Sequence, residues 1–309
     1  MNIEDFTNNF FSSIDTRYSA RTQQYVNHEK YITGLWGWPL RCFEVLTEDL
    51  FDFISEKFRD IREESTVEYA IATILGKSLL RINEILTLLW KGYPGGSMAL
   101  SRSLHELTVC LLFIIKHRAN PELASRYFKF RIIEIGSDLV ALKETCLQMG
   151  WKFEKNEELA NNMRSQDELV NEYGNAFKRN FGWCSCVPGI KDFSDMEKDV
   201  GSNALRAFYR LGNKIIHSNP ESNRYSLGIK DLHDNSIYIG PFIQGFDIPA
   251  SYALLSMSAM VNGLSDYLGD DASKSYIDTL NKIMLEITIE FKKASRNSRE
   301  ATNLVAQDK

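Results

Sequence analysis

SMALSRSLHELTVCLLFIIKH, residues 97–117, is the stretch on which the fold turns. Its second half, Leu107 to Ile115 (LTVCLLFII), is almost uninterrupted hydrocarbon, yet it is about half the length that a bilayer crossing requires. Arg102, His105 and Glu106 stand just upstream, which favours a helix buried in protein over one buried in lipid. A helix that is apolar around most of its circumference belongs at the centre of a bundle. Arg102 and Glu106, four residues apart at its head, must then be paired, because an isolated buried charge costs several kcal/mol.

Working outward, apolar residues recur at steps of three and four over most of the chain, and alternation of strand type occurs in one place only. The pattern predicts helices over about Ile3–Tyr31, from Pro39 at a first turn to about Arg59, and over about Ser65–Lys91. Gly92, Pro94, Gly95 and Gly96 force a turn before the central helix, and Asn120-Pro121 separates it from a fifth over about Glu122–Met149. The polar stretch after Gly150 and the loop GWCSCVPG make residues 150–198 a peripheral insertion. Helix resumes over about Glu197–His217 and stops at Ser218-Asn219-Pro220. Residues 221–309 are expected to hold a β-hairpin (Tyr225–Lys230 with Ser236–Phe242) and two helices, about Pro249–Leu268 and Ala272–Lys293. The expected fold is mainly α: a single helical domain over residues 1–309, a bundle of about eight or nine helices with one small β-hairpin.

With 309 residues, 44% of them hydrophobic, the chain has ample material for a packed core. A net charge of −5 excludes the continuous basic field of a long nucleic-acid groove and leaves room only for a local basic site. Five cysteines, an odd number, follow an N-terminus (MNIEDFTNNFF) that does not read as a secretory signal, so free thiols and a cytoplasmic location without membrane attachment are expected. Cys184 and Cys186 form a C-x-C with no second pair of ligands, so neither metal nor cofactor is expected. P-loop, HExxH and GxSxG patterns are absent.

The chemistry concentrates in YRLGNKIIH, residues 209–217. Arg206, Arg210, Asn213 and His217 follow steps of four, three and four and share one helical stripe. Such a row can hold a phosphate beside a group that titrates near neutrality, and the helix C-terminus favours a protonated His217. It can equally be a polar face that forms salt bridges to another helix. Arg102 and Glu106 allow the same two readings: an internal ion pair, or a phosphate contact and its orienter. Lys77, Arg81 and Glu84 on the preceding helix are expected to partner that pair, and His105 to be a hydrogen-bonded core histidine.

The segment GYPGGSMALSRSLHELTVCLLFIIKH followed by ASRYFKFR resembles a prokaryotic helical family, domain of unknown function fifty-six seventy-seven. Arg102 and Glu106, Tyr209, and His217 with Ser218 and Pro220 match its pattern, and the resemblance covers residues 65–220, the core bundle. An Arg, six residues, then His is also similar to the motif of HEPN domains, many of them metal-independent RNases of toxin-antitoxin and phage-defence systems. Gly212 stands where their arginine would be, so Arg210 has to supply the charge from nearly one turn earlier. The resemblance implies an endoribonuclease with His217 as general acid or base, Arg210 stabilising the phosphorane and Asn213 orienting the phosphate, with Arg206, Arg102 and Glu106 binding substrate. It implies RNA as substrate, a homodimer that joins two motifs, and an antitoxin or defence-system partner. The alternative is a non-catalytic helical module that binds a nucleotide, RNA or a protein through the same face. The hairpin after His217 is expected to cover the site.

Overall fold

Apolar periodicity becomes helix along nearly the whole chain in the computed structural model, which describes residues 3–61, 66–217, 220 and 240–307. The helices are α1 (Ile3–Ser12), α2 (Ile14–Lys57), α3 (Thr66–Trp90), α4 (Pro94–Lys116), α5 (Leu123–Lys129), α6 (Arg131–Gln148), α7 (Asn156–Tyr173), α8 (Phe193–Asp199), α9 (Arg206–Ile216), α10 (Asp247–Leu268) and α11 (Asp271–Gln307). No β-strand occurs among the described residues. The hairpin expected over Tyr225–Phe242 lies outside them except at 240–242, which carry no strand.

The central segment behaves as its composition demands. By length and composition α4 would suffice to cross a bilayer, but its surface is taken up by α3, α9 and α10, with Leu104, Val109, Leu111, Phe113 and Ile114 fully buried. Pro94, Gly95 and Gly96 lie inside α4, not in the turn, because proline at the first helical position loses no hydrogen bond the helix could have made. The α4–α10 seam is polar and tight: Ser101 Oγ donates to the Pro249 carbonyl at 3.1 Å and Thr108 Oγ1 to the Ser256 carbonyl at 3.4 Å. A Cβ on Gly263 would lie 2.2 Å from Leu112 Cδ2, so a larger residue there would push the Leu112 side chain out of its place in the seam.

α2 packs on α3, and α11 packs on both α2 and α10, which closes the bundle. Proline did not start a new helix at residue 39; α2 runs through it. The buried row Ile32, Trp36, Leu40, Phe43, Leu46 and Leu50 continues in phase across Pro39, and burying it outweighs the one backbone bond that proline removes. Trp36 stacks on Phe246 at 4.7 Å between ring centres and donates Nε1–H to the Ile243 carbonyl at 2.9 Å.

Two other expected helices are divided. The fifth breaks at Phe130 into α5 and α6, and the segment before His217 breaks at Gly201, whose φ of 72° only glycine adopts freely, into α8 and α9. The 150–198 stretch also divides: α7 buries little beyond Leu159 and Leu169, whereas two 3₁₀ turns (Asn175–Lys178 and Gly182–Cys186) send Phe177, Trp183 and Cys184 into the core. Arg126 of α5 fastens them, donating to the Trp183 carbonyl at 3.3 Å and to Ser185 Oγ at 2.9 Å.

Gly263→Leu is expected to cost about 1–3 kcal/mol of unfolding free energy, since a well-packed seam resists added carbons. Urea denaturation reads this directly, and an unmoved midpoint would show that the α4–α10 approach is looser than described.

Candidate functional site

Eleven residues make α9, and Gly212 is its only fully buried position. A Cβ there would sit 2.8 Å from Arg102 Cβ and 3.4 Å from the Met98 carbonyl oxygen, so the glycine lets α9 lie directly on the first half of α4. Pressed against it, Arg102 reaches along the interface. Its Nη2 lies 2.8 Å from Glu106 Oε1 and donates to the Tyr209 hydroxyl at 3.0 Å, and that hydroxyl donates to Glu106 Oε1 at 2.9 Å. The guanidinium carbon also stands 4.8 Å from the Tyr209 ring centre. Burial, and then the Glu106 charge, push the Tyr209 hydroxyl above its ordinary pKa and keep it a donor.

One turn along α4, His105 Nε2 lies 2.9 Å from Glu197 Oε1, with side-chain exposures of 0% and 1%. The other oxygen of Glu197 accepts from Arg206, so α8 ties α4 to the start of α9. Phe193, Tyr209 and Tyr252 surround the imidazole at 6.2, 6.0 and 5.6 Å between ring centres. Burial pulls the His105 pKa below the usual histidine value, opposed by the Glu197 carboxylate. A neutral ring donating Nε2–H to Glu197 fits this arrangement, and its Nδ1 is buried without a partner among the described residues.

The stripe read from the sequence is therefore divided in its use. Arg206 is bound to Glu197, and Asn213 turns its Oδ1 into the protein, where no described residue meets it. Arg210 and His217 are exposed. Seven residues of helix leave them within roughly 20° around the axis and about 10 Å apart along it. His217 caps the helix, its backbone N–H donating to the Asn213 carbonyl at 3.0 Å. Arg102 and Glu106 form the internal pair, completed by Tyr209 and not by the α3 set, where Arg81 bonds Glu84 at 2.5 Å.

Tyr209 and Glu197 are the residues whose roles the sequence did not disclose. Tyr209 stands in the family pattern with Arg102, Glu106 and His217, which marks the residue but not its partners. Glu197 carried none beyond the need of a buried histidine for an acceptor. All five cysteines are free, and burial pushes the Cys184 thiol up to about 12.

The model of a family of unknown function, DUF5677, matches residues 68–235, over half of the chain, from α3 past α9. The chain belongs to that family. No curated protein and no solved structure matches it.

Tyr209→Phe removes the hydroxyl shared by Arg102 and Glu106 and is expected to cost about 1–3 kcal/mol, the range for leaving partly buried polar partners unmet. Chemical denaturation that finds no loss would remove this hydroxyl from the account. His105 gives a pH signature. With its folded-state pKa depressed, the unfolded chain takes the proton first, so its contribution is full above pH 6.5, the ordinary value, and declines as pH falls below it. The melting temperature is expected to drop more steeply from neutral pH toward pH 5 in the wild type than in His105→Gln; parallel curves would contradict this.

Proposed function

We propose that this protein is a HEPN-like, metal-independent endoribonuclease that takes single-stranded RNA on the exposed face of α9. The observation that carries the reading is the contrast between spent and unspent polar groups. Arg102, Glu106, His105, Glu197 and Arg206 are committed to one another or to Tyr209, while Arg210 and His217 open to solvent on one side of the same helix. Among the described residues no hydrogen bond or ion pair engages either of the two exposed side chains.

In this reading Arg210 meets the phosphate, and His217 moves the proton between the ribose 2′-hydroxyl or the leaving oxygen and solvent. Asn213 orients the bound phosphate from the adjoining edge of the face. Arg206 contributes positive potential at the helix start while bound to Glu197, and Arg102 with Glu106 supports α9 from behind instead of touching substrate. A cytoplasmic homodimer with an antitoxin or defence-system partner belongs to the same proposal. A second reading, binding of RNA without cleavage, draws support from Gly212, which fills the arginine place of the HEPN motif with a packing contact.

Cleavage of total RNA by the purified protein in EDTA separates the readings. Cleavage lost in His217→Ala and lowered about tenfold or more in Arg210→Ala is the expected result, the size of one lost transition-state contact. Equal cleavage by wild type and His217→Ala, or none by either, overturns the nuclease reading; RNA retained without cleavage establishes the second.

A further inference from the structure

Helix α6 lies at the edge of the bundle, packed on α7 and touching α5. Its inner positions Ile133, Gly136, Leu139 and Cys146 are buried. Beside them runs a second apolar line, open among the described residues. Ile135, Leu142 and Met149 are 41%, 44% and 60% exposed, and each step of seven drifts only about 20° around the helix. Gly150, with a φ of 68°, then closes the helix and turns the chain back, so that the Trp151 N–H donates to the Cys146 carbonyl at 2.8 Å. The indole, 63% exposed, is thereby held at the end of the apolar line on tethered backbone.

The charge beside this line is mainly negative. Asp138 stands three residues after Ile135 and four before Leu142, and Glu134, one turn earlier, borders the same side. Both are exposed, and neither enters an ion pair or hydrogen bond among the described residues. Arg131, at the helix start, is the one basic side chain on that edge. On α7 the acidic residues are spent differently: Glu158, Asp167 and Glu172 are matched by Lys155, Lys178 and Lys129. Residues 131–173 hold nine acidic and five basic residues, so this pair of helices accounts for −4 of the chain's net charge of −5.

We infer that α6 seats a cationic amphipathic helix of a partner protein, its apolar side on Ile135, Leu142 and Met149 and its lysines or arginines against Glu134 and Asp138. Large apolar residues at sevenfold spacing are the pattern by which one helix accepts another. Trp151 supplies the aromatic anchor that such contacts favour, and the unpaired carboxylates set the sign of the partner's charge. An RNA strand or an anionic lipid surface would be repelled by the same carboxylates, and a second copy would bring a surface with the same negative excess. At 18 residues α6 is about 27 Å long, a length that about five turns of a partner helix cover. The docking does not rest on RNA cleavage: α6 meets α5 and α7, whereas α9 packs on α4, so either can fail without the other.

Fluorescence anisotropy with the full chain tests it, using as probe a labelled amphipathic helix of leucine and lysine, about five turns long with its leucines at heptad positions. The wild type is expected to bind it at micromolar concentration, and to bind a lysine-serine peptide of the same length and charge at least about tenfold more weakly. Leu142→Lys with Met149→Lys should weaken binding at least about tenfold with unchanged circular dichroism, whereas Leu147→Lys, on another side of α6, should leave it unchanged. Glu134→Lys with Asp138→Lys should weaken it similarly, and a leucine-glutamate peptide should then bind that variant better than it binds the wild type. No binding by the wild type overturns the docking, as does equal binding of the lysine-serine peptide. So does binding that survives Leu142→Lys with Met149→Lys, that is lost equally in Leu147→Lys, or that does not follow the exchange of charge. A wild-type dimer in sedimentation that Leu142→Lys with Met149→Lys dissolves gives the face to a second copy and overturns it too.

Discussion

Gly212 against Arg102 is the contact on which the polar architecture rests. Without a Cβ at 212, α9 settles onto α4 closely enough for the Arg102 guanidinium to reach Tyr209 while paired to Glu106. A larger residue would lift α9 and take the Tyr209 hydroxyl away from Arg102 and Glu106, which stay paired on α4, a loss of about 1–3 kcal/mol. Glu197 then secures the start of the same helix by holding Arg206 and His105 at once. The two networks share α4 and enclose Tyr209 and Tyr252.

This arrangement separates two kinds of basic residue that composition cannot tell apart. His105 is enclosed by aromatic rings and a carboxylate, and its role is to hold helices together. His217 ends α9 in solvent, with Arg210 about two turns earlier on the same face. The proposed chemistry depends on that separation, since a substrate cannot reach a fully buried imidazole, whereas it can reach one at an open helix end.

The helical class and the central place of α4 were legible because an apolar run with charges at its head has few other solutions. Pro39 and Gly201 misled in opposite directions. Proline signals a helix start, but a continuous buried row carries α2 through Pro39; apolar periodicity runs on across Gly201, but its positive φ cuts the helix in two. The α9 stripe was legible from spacing, but spacing alone could not say which of its members would be claimed by Glu197, a residue nine positions earlier on a different helix. Arg102 and Glu106 were recognised as a pair, yet their third member came from α9 and not from α3, because only the folded chain brings Tyr209 to them.

The division between a structural and a free histidine is most directly tested by side-chain nitrogen spectra of the five histidines during titration with a single-stranded oligonucleotide made uncleavable at the 2′ position. The account predicts that the His217 resonances move with added oligonucleotide and those of His105 stay in place. A His217 signal that is unchanged at saturation would contradict it.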